Sequence, residues 1–201
     1  MKKSFFKYWG IFFLLIVVAT VFLLKDTSNL IPKSILAPKI NTDINKYQEF
    51  IGENAKEEFK NKWGMDEKIF PKEIATNMNV EDYKMVYQNF GDFQCLSYLV
   101  VEYDEDAYKR EVERLNNYNS TEYIGNYGAI GFDSKYKLLA MNADSYSGFV
   151  YALTNKKDTI IYVEMIFCNY TMDLNYKKYI NQEYLPLGFN AEQGNPYAAK
   201  K

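Results

Sequence analysis

The run Thr159-Ile160-Ile161-Tyr162-Val163-Glu164-Met165-Ile166-Phe167-Cys168-Asn169 is the longest β-branched, aromatic and apolar stretch outside the N-terminus. Read with period two, one side carries Ile161, Val163, Met165 and Phe167. The other carries Ile160, Tyr162, Glu164, Ile166 and Cys168. A strand that is apolar on both sides needs cover on both, which suits the centre of a sheet. Just before it, Gly148-Phe149-Val150-Tyr151-Ala152-Leu153-Thr154 reads as its partner. The polar link Asn155-Lys156-Lys157-Asp158 suits a four-residue hairpin turn. Whatever fold the chain adopts has to be built around this hairpin.

Glu164 is the residue that breaks the pattern. A carboxylate between Val163 and Met165 is costly to bury without a partner. It is therefore the first candidate for a site. Glu102 ends another apolar strand, on the same period-two side as Tyr98, and is expected to lie near it. Two such acids perform acid/base chemistry or grip a cationic ligand. The plainer alternative is that Glu164 faces solvent on a one-sided sheet or pairs with a lysine. Glu164, Glu102 and Tyr98 are the candidate binding residues; no catalytic residue is assigned.

Composition narrows the chemistry further. Histidine is absent from all 201 residues. This excludes Ser-His-Asp and Cys-His catalysis, histidine proton shuttles and every His-ligated metal site. Net charge is −2, with no basic patch, so nucleic acid is not an expected partner. Glu102-Tyr103-Asp104-Glu105-Asp106 lacks the glycine and alternating oxygen ligands of an EF-hand loop, and a helix start explains it better. Gly125, Gly128 and Gly131 do not match a dinucleotide fingerprint. No cofactor and no metal are expected. The two cysteines, Cys95 and Cys168, read either as buried free thiols or as a disulfide.

The N-terminus carries its own signal. Lys2, Lys3 and Lys7 precede an uncharged run, residues 8–24, in which twelve residues are Leu, Ile, Val or Phe. As a helix it spans roughly 25 Å, and Lys7 and Lys25 can snorkel to the two interfaces. Its insertion free energy is on the order of −4 to −7 kcal/mol. A cleaved signal peptide has a shorter apolar core and a small-x-small site, whereas Val21-Phe22-Leu23-Leu24 places large residues there. An uncleaved signal anchor is expected, with the chain secreted if it is cut instead. The leading lysines put residues 1–7 in the cytoplasm and the remainder outside.

The expected organisation is an anchor at 8–24, a tether at 25–42, a domain at 43–190 and a flexible tail at 191–201. Within the domain, Ile44, Tyr47, Ile51, Ala55 and Phe59 recur at helical spacing, predicting one amphipathic helix over 43–63. Tyr83–Tyr87 and Phe93–Tyr103 read as strands. Asp104 caps a second helix, with Tyr108, Val112, Leu115 and Tyr118 as its apolar stripe. Turns and a short strand are expected over 123–131, and a strand over 136–142. Thr171 is expected to cap a last helix, Met172 to Ile180. The order predicts an α+β fold: a mainly antiparallel sheet with helices on one side.

The block from Ile69-Phe70-Pro71 to Tyr184-Leu185-Pro186 resembles small exported or membrane-anchored proteins of Gram-positive bacteria. The resemblance rests on Val80-Glu81-Asp82-Tyr83-Lys84-Met85-Val86-Tyr87, Leu138-Leu139-Ala140-Met141 and Phe167-Cys168-Asn169-Tyr170. It implies location and lineage and carries no activity or site. The functional expectation is a membrane-anchored extracytoplasmic binding or interaction domain, with an unidentified ligand or protein as partner. The alternative is a His-free cell-envelope hydrolase or transferase using paired carboxylates.

Overall fold

The computed structural model describes residues 37–60, 62, 64–90, 92–167 and 174–192. The expected anchor, most of the tether, Cys168, the expected cap Thr171 and the tail beyond Glu192 lie outside the described residues. Among the described residues, no helix is long and apolar enough to cross a membrane.

Six strands form one sheet: β1 (Lys39–Asn41), β2 (Met78–Phe90), β3 (Asp92–Tyr103), β4 (Lys137–Asp144), β5 (Gly148–Thr154) and β6 (Thr159–Ile166). Their spatial order is β1-β2-β3-β6-β5-β4, and every pairing is antiparallel. The α+β class is thus shown. Among the described residues, three α-helices join the strands: α1 (Tyr47–Phe50), α2 (Glu57–Lys60) and α3 (Glu105–Asn116).

β6 lies inside the sheet, between β3 and β5. Its two sides belong to two separate cores, as the period-two reading requires. Ile160, Tyr162 and Ile166 pack with Cys95, Leu99, Val101, Val150 and Ala152 on the first face. Ile161, Val163, Met165 and Phe167 pack with Leu96, Phe149, Tyr151 and Leu153 on the second. The α-helices cover the first face, through Tyr47, Phe50, Phe59, Ala107 and Leu115. Among the described residues, the second face is covered without any α-helix, by Tyr127, Leu174, Tyr176, Ile180, Leu185 and Phe189 from irregular segments and short 3-10 turns.

The β5–β6 turn is held by Asn155. Its Oδ1 accepts from the backbone N–H groups of Lys157, Asp158 and Thr159 at 2.9, 3.1 and 3.1 Å. This is the local bonding that makes asparagine a turn residue. β5 begins at Gly148, where φ is +150° and a Cβ would come 2.0 Å from the Met165 carbonyl oxygen. Only glycine lets the partner strand approach this closely.

α3 starts as expected. Asp104 Oδ1 accepts from the Ala107 N–H at 2.7 Å, satisfying one of the free donors of the first turn. Asp104→Ala is expected to cost about 1 kcal/mol, read as a lower urea midpoint with an unchanged slope.

Three expectations change. The single helix over 43–63 is instead a 3-10 turn at Ile44–Lys46, α1 and α2, with extended Ile51 and left-handed Gly52 (φ +83°) between them. Asp43 caps the first turn, accepting from Asn45 N–H. No strand forms over 123–131; Gly125 and Tyr127 both adopt left-handed backbone there, around a 3-10 turn. Among the described residues of the expected last helix, only the 3-10 turn Tyr176–Lys178 forms. Tyr176 is drawn into the second core instead, donating to the Ile166 carbonyl at 2.8 Å.

Two smaller differences follow from pairing. β2 is far longer than Tyr83–Tyr87, because β3 pairs with it from Met78 to Phe90, through a bulge between Val80 and Asp82. Lys39–Asn41, within the expected tether, adds to the edge of β2.

Candidate functional site

A cleft of about 910 Å³ opens on the helical side of the sheet. One wall is the broken segment after α1, with Ile51, Gly52 and Glu53. The floor is Asp66 to Pro71, and the opposite wall is Glu111 and Arg114 of α3. The cleft exists because the first helix is broken. A continuous helix over 43–63 would leave no backbone turning away at Gly52.

Two polar networks hold the walls, and both end on β6. The first centres on Lys62, whose side chain is 2% exposed. Its ammonium donates to Glu164 Oε2 at 2.7 Å, to the Phe50 carbonyl at 2.9 Å and to Glu67 Oε1. Glu67 Oε2 accepts from the Gly52 N–H at 2.8 Å. The Phe50 carbonyl and the Gly52 N–H are backbone groups that the helix break leaves free, and the ion-pair cluster takes up both.

Glu164 is 0% exposed. Its Oε2 also lies 3.8 Å from Cys95 Sγ, a buried free thiol. Its Oε1 has no hydrogen-bond partner among the described residues. Nor has the hydroxyl of Ser97, directly opposite on β3. Burial pushes Glu164 up, to about 7; Lys62 pulls it down and Glu67 pushes it up again. Burial works against the Lys62 ammonium, but Glu164, then Cys95 and Glu67, outweigh it and hold the lysine above its ordinary range. Lys62 is therefore a cation at any physiological pH.

The second network runs from α3. Arg114 forks onto Glu111, with Nε 2.7 Å from Oε2 and Nη2 2.6 Å from Oε1. It also donates to the Lys68 and Ile69 carbonyls at 2.7 and 2.8 Å, which ties the cleft floor to the helix. Tyr162 of β6 donates to Glu111 Oε1 at 2.7 Å and accepts from Tyr103. Such forked pairing fixes direction as well as position.

The three sequence candidates do not converge. Glu164 belongs to the first face, behind the cleft. Glu102 shares its side of β3 with Leu96 and Tyr98, residues of the second core. It is exposed, and accepts from Asn79 Nδ2 at 3.0 Å. Tyr98 is buried in the second core, its hydroxyl donating to Asp82 at 2.7 Å. The expected Glu164–Glu102 pair is therefore not formed. Alternation within β3 places Glu102 and Tyr98 together correctly. It does not reveal that Ser97, not Tyr98, stands across from Glu164. Glu164 pairs with a lysine, the plainer alternative of the sequence; that it is Lys62, with Glu67 beside it, the sequence did not reveal. The available signal was the cost of burying Glu164, which demanded a cation.

Among the described residues, no group of three or more Cys, Asp or Glu is placed to hold a metal ion. No protein-family model, curated protein or solved structure matches the chain.

Proposed function

We propose that the chain is a membrane-anchored extracytoplasmic binding domain, held by residues 8–24, whose ligand enters the cleft between Gly52 and Arg114. The observation that carries this reading is a recess whose walls are fixed by ion pairs while four of its lining charges stay uncommitted. Lys68, Lys72, Glu53 and Glu73 have no side-chain partner among the described residues, yet all four line the cleft. Ile51, Phe70, Pro71 and Met78 add an apolar floor. An apolar recess with a few free polar groups is the usual form of a binding site.

Binding is favoured over carboxylate-pair catalysis by what the acids are doing. Glu164 is sealed from the cleft, and Glu67 and Glu164 are both bound to Lys62. Glu111 is occupied by Arg114 and Tyr162. An acid engaged in this way positions backbone rather than moving protons on a substrate.

The test is a photo-crosslinking amino acid placed at Lys72 in the full-length chain, in membranes of a Gram-positive host. Lys137, exposed on β4 and not lining the cleft, is the control position. A defined adduct from position 72 and none from 137 is the expected result. Equal labelling, or none from either, would remove the cleft as the binding site. Protease added to intact protoplasts checks the topology: the domain should be cut, and protection would refute the extracytoplasmic assignment.

A further inference from the structure

We propose that the cleft wall at Phe50–Gly52 is latched by one proton held in the Lys62–Glu67–Glu164 cluster, and that loss of this proton lets the wall open. The argument starts from charge. One ammonium and two carboxylates meet in a space where Lys62 is 2% and Glu164 0% exposed. With both acids ionised the cluster carries −1 inside an apolar core, which is strongly unfavourable. With one proton it is neutral. Glu164, the fully buried acid, holds that proton beside Glu67, whose contact favours the protonated form.

The same geometry names the part that yields. Of the three side chains only Glu67 reaches the cleft, at 17% exposure. When Glu164 ionises, two full negative charges compete for Lys62, and Glu67 alone can turn to water. Turning takes its Oε2 away from the Gly52 N–H, the bond that ties Gly52 to the floor, while Lys62 keeps its bond to the Phe50 carbonyl. Gly52, left-handed and with open space around its Cα, is the flexible point of that wall.

Besides Lys62 and Glu67, the titratable groups on this face among the described residues are a thiol and tyrosines that burial keeps protonated. Cys95 on β3 is pushed well up by burial. Tyr47 on α1, whose hydroxyl donates to the Pro71 carbonyl, is pushed up by burial and then by Glu67. Tyr83 on β2 is pushed up to about 12, chiefly by burial. Tyr162 and Tyr103 on the same face are raised by burial too. β5 presents Val150 opposite Glu164 and adds no charge. Burial pushes Glu164 itself up to about 7.

The sign follows from linkage. The closed wall binds the proton more tightly than the open one, so opening grows as pH rises toward 7 and levels off above it. The limiting slope is about tenfold per pH unit. The experiment is amide hydrogen exchange of the full-length chain in nanodiscs, read as protection factors so that base catalysis of exchange cancels. Gly52 protection is expected to fall by at least about tenfold between pH 5.5 and 7.5. Val150 in the sheet should stay constant. Glu164→Gln, which keeps the neutral shape, should hold Gly52 at its low-pH protection throughout. A wild-type Gly52 that does not respond to pH, or a Glu164→Gln protein that responds equally, would overturn the latch. Carbon-13 titration of the Glu164 carboxyl in the wild-type chain gives a check without any variant. A midpoint well below pH 5 would also overturn it. The latch is read without any ligand; only its control of ligand entry rests on the binding function proposed above, so failure of one leaves the other standing.

Discussion

Lys62→Met is expected to remove about 3–5 kcal/mol of folding stability at pH 8, the cost of stranding a buried charge by deleting its partner. Lys62 pairs with both Glu164 and Glu67 and caps the Phe50 carbonyl. Without it, Glu164 has one escape, which is to keep its proton. Its folded-state pKa then rises above the present value of about 7. Between the ordinary carboxylate pKa and the folded one, the native state binds more protons than the unfolded state. Stability therefore falls as pH rises through that window. In the wild type the fall runs from near 4.5 to about 7 and stops there. In Lys62→Met it continues into the alkaline range, so the loss is smaller at pH 5 than at pH 8. Urea unfolding at both pH values measures it; an equal loss at each would contradict the account. Lys62→Met combined with Glu164→Leu should recover most of the stability, because a well-packed apolar pair is often no worse than a buried ion pair. Recovery is expected in stability only, and the pH response of the cleft wall should be absent.

Phe167→Ala should cost about 3–5 kcal/mol for a different reason, the loss of a large ring from a packed core. Phe167 is fully buried at the end of β6. Its ring centroid lies 4.0 Å from Tyr127, 5.3 Å from Phe149, 6.0 Å from Phe189 and 6.2 Å from Tyr176. Tyr127, Tyr176 and Phe189 come from the irregular segments covering the second face, and Phe149 from β5. Those segments bond chiefly to themselves and to each other through short turns, so aromatic packing on Phe167 is a main tie between them and the sheet. Phe167→Leu refills part of the space and should cost less. Hydrogen exchange should rise most over 174–192 and least near the cleft. A uniform rise over both faces would show that the two cores do not respond separately.

Much of this fold was legible locally. The alternation in β6, the turn at Asn155 and the Asp104 cap depend on residues a few positions apart, and each formed as read. The period of Tyr47, Ile51, Ala55 and Phe59 also reported burial correctly, since all four are buried. What it could not report is whether the backbone between them runs on as one helix. Gly52 bonds to Glu67, and Phe50 bonds to Lys62, and these contacts replace the helical ladder at the break. The irregular cover of the second face was equally hidden, because left-handed Tyr127 is set by its ring packing on Phe167 and not by its neighbours in sequence.

The sequence alone determined that a two-sided apolar strand wants cover on both sides, that its one carboxylate is costly to bury without a partner, and that histidine chemistry is absent. Periodicity and composition suffice for these because they act on each residue wherever the chain goes. Only the tertiary structure decided the partner. Lys62 is 102 residues from Glu164, one lysine among many, and nothing local marks it. The register of β3 on β6 put Ser97 across from Glu164 and turned Tyr98 and Glu102 to the opposite side. A shift of one residue would have reversed that choice, and strand register is settled by the packing of whole faces, which no single stretch of sequence contains.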